Sequence, residues 1–278
     1  MIFMKNKICA AVTIEESYPG ALVLFRGIKN SIKSAKKLGY DGIEMALYEK
    51  GNINLKETQE MLLDYEMSVP VISTGQLYTI RGLSLASPDK ENRKNAVEAV
   101  KELIDIAAEL HADLNISRVR GTHTGNGSPA EGMMRISECL YEICRYAERP
   151  GINILLEQMN RYETTYLNSV REVAGYIQKL GIENLKIHAD LFHMNIEDAG
   201  IPETLRAYGS QIGYIHFADS NRMPPGQGHI NFESVLEAMR DIGYEGWIGI
   251  EVLVRSGFYV AAKQSIEYVR KCSSIQDR

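Results

Sequence analysis

Ile152-Asn153-Ile154-Leu155-Leu156-Glu157 is a short apolar run that ends on an acid, and three later stretches repeat its form. Leu185-Lys186-Ile187-His188-Ala189 runs into Asp190, Ile212-Gly213-Tyr214-Ile215 into His216, and Trp247-Ile248-Gly249-Ile250 into Glu251. Each run has the length and apolar content of a buried strand. A parallel α/β barrel gathers its chemistry at the carboxyl ends of its strands, so the four terminal residues fall on one face. One glutamate at a strand end is an ordinary solvated residue. Four ligand-type residues at equivalent positions are a constellation. Three carboxylates and one imidazole supply mixed oxygen and nitrogen ligands for one divalent metal ion.

The alternation extends upstream to the start of the chain. Strands are expected at 7–12, 42–47, 69–73, 113–119, 152–157, 185–190, 212–217 and 247–252. Helices are expected near 27–38, 55–66, 89–110, 130–148, 170–180, 202–208, 232–242 and 259–272. Val97, Val100, Ile104 and Ala107 repeat at helical spacing, as do Ile136, Leu140, Ile143 and Ala147. Ser87-Pro88 reads as a cap followed by a proline in the first turn, Ser169 with Glu172 as a capping box, and Gly181 and Gly243 as helix stops. Alternating strands and helices imply a parallel sheet. Eight units without a composition break favour a closed (β/α)8 TIM barrel over an open doubly wound sheet. The expected architecture is a single catalytic domain over residues 1–278, with its active site at the C-terminal ends of the strands. Two loops on that face, Gly75 to Pro88 and Gly121 to Pro129, are longer than a barrel needs and suit substrate contacts or a lid.

Composition narrows the function classes. The chain has 278 residues, 45% hydrophobic and 24% charged, which is an ordinary globular balance. A net charge of -5 argues against a nucleic-acid partner. Cys9, Cys139, Cys144 and Cys272 form no CxxC pair and read as inert thiols in a reducing cytoplasm. The stretch from Met1 to Val12 lacks the apolar core and cleavage site of a signal peptide. No apolar run is long enough to span a membrane. Asn115-Ile116-Ser117 fits a glycosylation acceptor, which has no meaning without secretion. The glycines form neither GxGxxG nor a P-loop, so no nucleotide cofactor is expected, and GxSxG is absent.

Three polar residues follow strand ends at short offsets: Glu163 six past Glu157, His193 three past Asp190, and Arg222 six past His216. Together they suit a polar substrate wall around the metal. His229 reads as a structural residue holding the loop before the helix at 232–242, and His188 as a packed histidine beneath the ligands.

The segments LLEQMNRYETTYLNS (155–169), ADLFHMNIED (189–198), IHFADSNRMPPGQGHINF (215–232) and GIEVL (249–253) resemble the xylose-isomerase-like family of sugar isomerases and epimerases. Within it they resemble ketose 3-epimerases of the tagatose/psicose type. STGQLYTIRGLSLASPD (73–89) looks most like the 5-keto-L-gluconate epimerase branch. The resemblance implies Glu157, Asp190, His216 and Glu251 as metal ligands, with Glu157 and Glu251 also moving protons. It implies Glu163, His193, Arg222 and Gln76 as substrate contacts. One divalent ion per subunit is expected, with Mn2+ foremost and Mg2+ or Co2+ as alternatives. A small sugar or sugar-acid substrate and a homodimer or homotetramer go with it. Family members often read Asp-Thr-Phe-His where this chain has Asp190-Leu191-Phe192-His193, so a hydroxyl is lost there.

The expected reaction inverts the carbon beside a ketone. Removing its proton makes an enediolate, whose charge a Lewis-acidic metal stabilises. Inversion then takes one base on each face of that intermediate. Aldose–ketose or hydroxypyruvate-type isomerisation and inosose dehydration share the same first step. Two further alternatives are an endonuclease-IV-type DNA repair enzyme, which uses a His-rich multi-zinc cluster, and a sugar-binding barrel without catalysis.

Overall fold

The structure is a computed structural model that describes residues 6–125 and 127–275. Residues 1–5 of the amino-terminal stretch and Asn126 of the second long loop lie outside the described residues. Eight parallel strands form a closed barrel: β1 (Ile8–Thr13), β2 (Gly42–Ala46), β3 (Val71–Ser73), β4 (Asp113–Ile116), β5 (Ile154–Glu157), β6 (Leu185–Asp190), β7 (Ile212–Phe217) and β8 (Ile248–Ile250). Closure pairs Ile8 with Ile248, Cys9 with Gly249 and Ala10 with Ile250. All eight expected strands are present: 185–190 and 212–217 as expected, the first shifted by one residue, and the other five shortened. A further two-residue pairing sets Phe25–Arg26 beside Val12 and Thr13, where the chain returns from the loop after β1.

The expected helices are found at Ile28–Leu38, Leu55–Asp64, Lys90–Leu110, Pro129–Glu148, Val170–Leu180, Ile201–Tyr208, Phe232–Asp241 and Phe258–Ile275. The periodic residues Val97, Val100, Ile104 and Ala107 are buried, as are Ile136, Leu140, Ile143 and Ala147. Burying each large aliphatic side chain stabilises the fold by roughly 1.5–3 kcal/mol, so these stripes clamp their helices to the sheet. Gly181 and Gly243 hold left-handed conformations at φ 65° and 63°, as helix stops do.

Two helix starts differ from the sequence reading. The helix after Pro88 begins at Lys90, and its cap is Asp89, whose carboxylate accepts from Glu91 N at 2.9 Å. Ser87 instead accepts from Asp89 N at 3.3 Å, two residues too early to cap the helix. Ser169 does accept from Glu172 N, but the Glu172 carboxylate takes Asn168 N at 2.7 Å, so the reciprocal box is not closed at Ser169. A complete box forms at Ser128 and Glu131. The long loop from Gly75 is helical at its start, Gly75–Thr79. A further helix, Leu191–Glu197, follows β6 directly where only a connection was expected.

The barrel interior explains where the site sits. Cys9, Val71, Leu155 and Tyr214, one each from β1, β3, β5 and β7, pack as a buried apolar cluster near the floor, with Trp247 beside it. Alternate strands filling one layer is how such barrels are packed. Two residues further along these strands, the inward positions become Ala11, Ser73, Glu157 and His216. The interior therefore turns polar toward its carboxyl end. The β6–β7 register shifts between Ile187 and His188, which sets His188 opposite Tyr214 and Asp190 opposite His216. No helix among the described residues is long and apolar enough to cross a membrane.

Candidate metal centre and substrate cavity

Glu157 and Asp190 end β5 and β6, His216 is the penultimate residue of β7, and Glu251 follows β8. Glu157, Asp190 and His216 are buried, while the Glu251 side chain keeps 20% of its surface exposed. His216 Nδ1 lies 3.6 Å from Asp190 Oδ2 and 3.9 Å from Glu251 Oε2. Ligand atoms of Asp190, His216 and Glu251 lie within 4.8 Å of one another, and so do those of Glu157, Asp190 and His193, and of Glu157, His188 and His216. Asp190 Oδ2, His216 Nδ1 and His193 Nε2 are buried without a hydrogen-bond partner. Buried polar atoms left unpaired in this way are costly. Their convergence with two further carboxylates fits the oxygen and nitrogen set that holds a divalent ion.

The surroundings bias each group differently. Burial, reinforced by Glu251, pushes Glu157 up to about 8. Burial also raises Glu251, against the pull of His216 and Arg222. Burial opposes ionisation of Asp190, but the neighbouring imidazoles and Arg222 outweigh it and hold the carboxyl well below its ordinary range. Burial lowers His193 to about 4. Burial acts on His216 in the same sense, but the Glu44 carboxylate overrides it and raises the imidazole well above its usual value.

Support comes from residues that the sequence did not flag. Glu44 on β2 is buried, 2.7 Å from His216 Nε2, and accepts from Tyr214 O–H at 2.6 Å. Tyr214 Oη is also 3.0 Å from Cys9 Sγ, so a buried polar column runs from His216 to the barrel floor. With Nε2–H donated to Glu44, the other ring nitrogen, Nδ1, is left for an ion, which is how a carboxylate behind a ligating histidine fixes its tautomer. Asn115 donates to Glu157 Oε2 at 3.2 Å, so the apparent glycosylation acceptor is a buried prop for a ligand candidate. Arg120, fully buried, donates to the Glu157 carbonyl. Asp190 divides its oxygens: Oδ1 caps the helix Leu191–Glu197 by accepting from Phe192 N and His193 N, while Oδ2 remains for the centre.

A cavity of about 310 Å³ opens over these ligands, and Glu157 and Glu251 both line it. Glu163, Arg222 and Gln76, expected as substrate contacts, also line it. Arg222 Nη1 and Nη2 donate to Glu163 Oε1 and Glu251 Oε2, each at 2.8 Å, and its guanidinium lies 4.7 Å over the Phe192 ring. Its backbone is left-handed at φ 60°, held by Arg222 N to Asp219 O at 2.8 Å and Leu253 N to Arg222 O at 2.7 Å. Gln76 Nε2 donates to Thr13 Oγ1 at 2.8 Å. His193 is fully buried behind the wall rather than in it: Nδ1 receives Asn160 N at 3.2 Å, and Nε2 faces Glu157 Oε1 at 3.9 Å.

The expected loop role of His229 is corrected, while the expected packing role of His188 is kept. His229 offers only its backbone N–H, to Ser220 Oγ, and the loop is held by buried Asp219, which accepts from Ser220, Gly226 and Ile230 amides. Leu191 packs in the core, so the hydroxyl lost at that position faced no part of the cavity here. His188 packs edge-on to Tyr214 and His216, in keeping with a packed histidine. A third loop, after β1, contributes Tyr18, Gly20, Ala21, Leu22 and Val23 to the cavity. Arg26 ties it down by donating to the Tyr18 and Pro19 carbonyls at 3.0 Å.

A family model described as a xylose isomerase-like TIM barrel matches residues 32–272. The chain is 30% identical over 232 residues to an L-ribulose 3-epimerase of Methylomonas sp. (strain DH-1), covering 81% of this chain and 78% of the relative. It is 30% identical over 243 residues to a D-psicose 3-epimerase of Ruminiclostridium cellulolyticum, covering 82% of this chain and 79% of the relative. A solved apo structure of a 3-keto-D-glucoside 4-epimerase from E. coli superposes with a TM-score of 0.82 at 22% identity, over 96% of this chain and 100% of that one.

Proposed function

Because the chain belongs to the xylose isomerase-like TIM barrel family, we propose that it is a divalent-metal-dependent epimerase of a ketose or keto sugar acid, inverting the carbon beside the ketone. The observation that carries this reading is the pair Glu157 and Glu251. Each falls in a metal-capable group with Asp190 or His216, both line the cavity, and they come from the ends of strands that are not neighbours. The two 3-epimerase relatives support the same reaction class.

Glu157, Asp190, His216 and Glu251 would hold the ion, which when bound supplies Lewis-acid stabilisation of the enediolate charge. Glu251 and Glu157 exchange protons with the reacting carbon from opposite faces. The Arg222 bond to Glu251 favours its ionised form, so Glu251 suits the base. Glu157, pushed up to about 8, suits the acid that returns a proton. The roles swap in the reverse direction. Arg222, Glu163 and Gln76 orient substrate hydroxyls. His193 stands behind Glu157 with Nε2 3.9 Å from Oε1, too far for a hydrogen bond. The ion is Mn2+, Mg2+ or Co2+ by the hardness of the ligand set. The four buried, unpaired cysteines support a cytoplasmic setting.

The test is proton exchange by the metal-reconstituted protein in deuterated water, read by NMR with tagatose, fructose, psicose, ribulose, 5-keto-gluconate and hydroxypyruvate. Deuterium beside the ketone with inverted product is expected. An aldose product would move the reaction to isomerisation, and no exchange with any substrate would sink the proposal.

A further inference from the structure

Arg118 lines the cavity mouth from the 3-10 turn Arg118–Arg120 that follows β4. Its side chain is 41% exposed. Nη2 pairs with Glu163, and no other partner of the guanidinium occurs among the described residues. Arg222, the other cation on the wall, has both terminal nitrogens committed, to Glu163 and Glu251. A guanidinium carries five N–H donors in a planar fork. Arg118 therefore keeps donors that can be spent on a ligand without releasing Glu163.

The rest of the wall directs where such a ligand group would sit. At the inner end the terminal nitrogens of Arg222 are already held by Glu163 and Glu251, so a substrate anion would have to displace a carboxylate there. Tyr18, Leu22, Val23 and Met159 supply apolar surface and no charge. The exposed rim at Arg118 is the place left for an anionic substituent. A carboxylate matches the guanidinium fork, and such pairing is both strong and geometrically selective.

Resting on the epimerase reading, we propose that this cavity selects keto sugar acids over neutral ketoses. Arg118 is the specificity-determining residue, and it clamps the substrate carboxylate remote from the reacting ketone.

The test compares wild type with Arg118→Met and Arg118→Lys, each reconstituted with Mn2+. The probes are 5-keto-gluconate as the acid and tagatose as the neutral ketose. Wild type should turn over the acid with the higher kcat/KM. Arg118→Met should reduce the acid-to-ketose ratio of kcat/KM about 10- to 100-fold, mostly through KM, by loss of a charge-assisted contact. Arg118→Lys should fall between. A wild-type ratio at or below one overturns the clamp. So does an equal loss on both substrates in Arg118→Met, which would mean that Arg118 acts only by ordering Glu163. Calorimetric binding of 5-keto-gluconate separates the two layers. Binding that Arg118→Met abolishes, with no proton exchange by any substrate, would keep the clamp and sink the epimerase. Absent binding would sink the clamp alone.

Discussion

Replacing Glu44 tests whether a residue that touches neither cavity nor ion governs metal affinity. Its carboxylate, only 1% exposed, meets the His216 imidazole at 2.7 Å and the Tyr214 hydroxyl at 2.6 Å. Glu44→Gln keeps an oxygen that can accept from His216 Nε2–H but removes the charge. Glu44→Ala removes both and leaves the imidazole free to turn. Loss of such a partner behind a ligating histidine typically costs 10- to 100-fold in metal affinity. That range corresponds to about 1.4–2.7 kcal/mol. The Gln variant should lie near the lower end and the Ala variant near the upper. The metal-free protein should weaken as well. Glu44 is the carboxylate that raises the His216 imidazole, and removing one partner of a buried charged pair is destabilising, so the metal-free Tm of Glu44→Gln should fall together with its affinity. Isothermal titration with Mn2+, paired with thermal unfolding with and without metal, reads both. If all three proteins bind Mn2+ within twofold and show native circular dichroism, Glu44 does not set the histidine and the reasoning fails.

Glu157→Gln and Glu251→Gln should each lower kcat by at least about 100-fold, the usual scale of a lost acid–base group, while the circular dichroism spectrum stays native; near-normal turnover in both would remove the two-base scheme. Metal affinity should rise with pH up to about 8, because Glu157 must lose its proton to ligate, and calorimetry in buffers of different ionisation enthalpy should detect the proton released. A flat dissociation constant between about pH 6 and 8 would contradict that. In the metal-free protein the sign reverses: a folded value raised above the ordinary 4.5 stabilises at low pH and is lost as pH rises through about 8, so metal-free Tm should drop across that window and Glu157→Gln should flatten the drop. A Cβ on Gly249 would stand 2.1 Å from Tyr214 Oη and 2.8 Å from His216 Cδ2. Gly249→Ala should therefore destabilise by about 1–3 kcal/mol and weaken metal binding, and unchanged urea unfolding would show that the column can yield.

The barrel and the four ligand candidates were legible because each lies where an apolar run stops, and strand ends share one face. Glu44 was hidden for the opposite reason. It stands inside a strand, Gly42–Ala46, where an acid between apolar neighbours looks like the outward step of an ordinary alternation. Only barrel closure makes that step an inward one, facing Tyr214 and His216. Asn115 was masked by a local pattern, since its neighbours spell a glycosylation acceptor while its partner Glu157 is 42 positions away. The Leu191–Glu197 helix has too few residues for a periodic signal, and its start is decided by Asp190, already read as a ligand. Ser87-Pro88 misled because Asp89 offers a better placed carboxylate two residues later. Arg118 carried no motif, and its meaning depends on a turn that brings it beside Glu163, 45 positions away.

Asp190 serves two masters with one carboxyl group. Oδ1 stitches the first turn of Leu191–Glu197 to the end of β6, and Oδ2 looks into the ligand cluster. Any charge placed among the ligands must therefore be felt as tension or slack at the amides of Phe192 and His193, whose protection against deuterium exchange becomes a gauge of occupancy. Since His193 rides on that same turn and faces Glu157, an ion at the centre would reach Glu157 by two routes, directly as a proposed ligand and through the helix end.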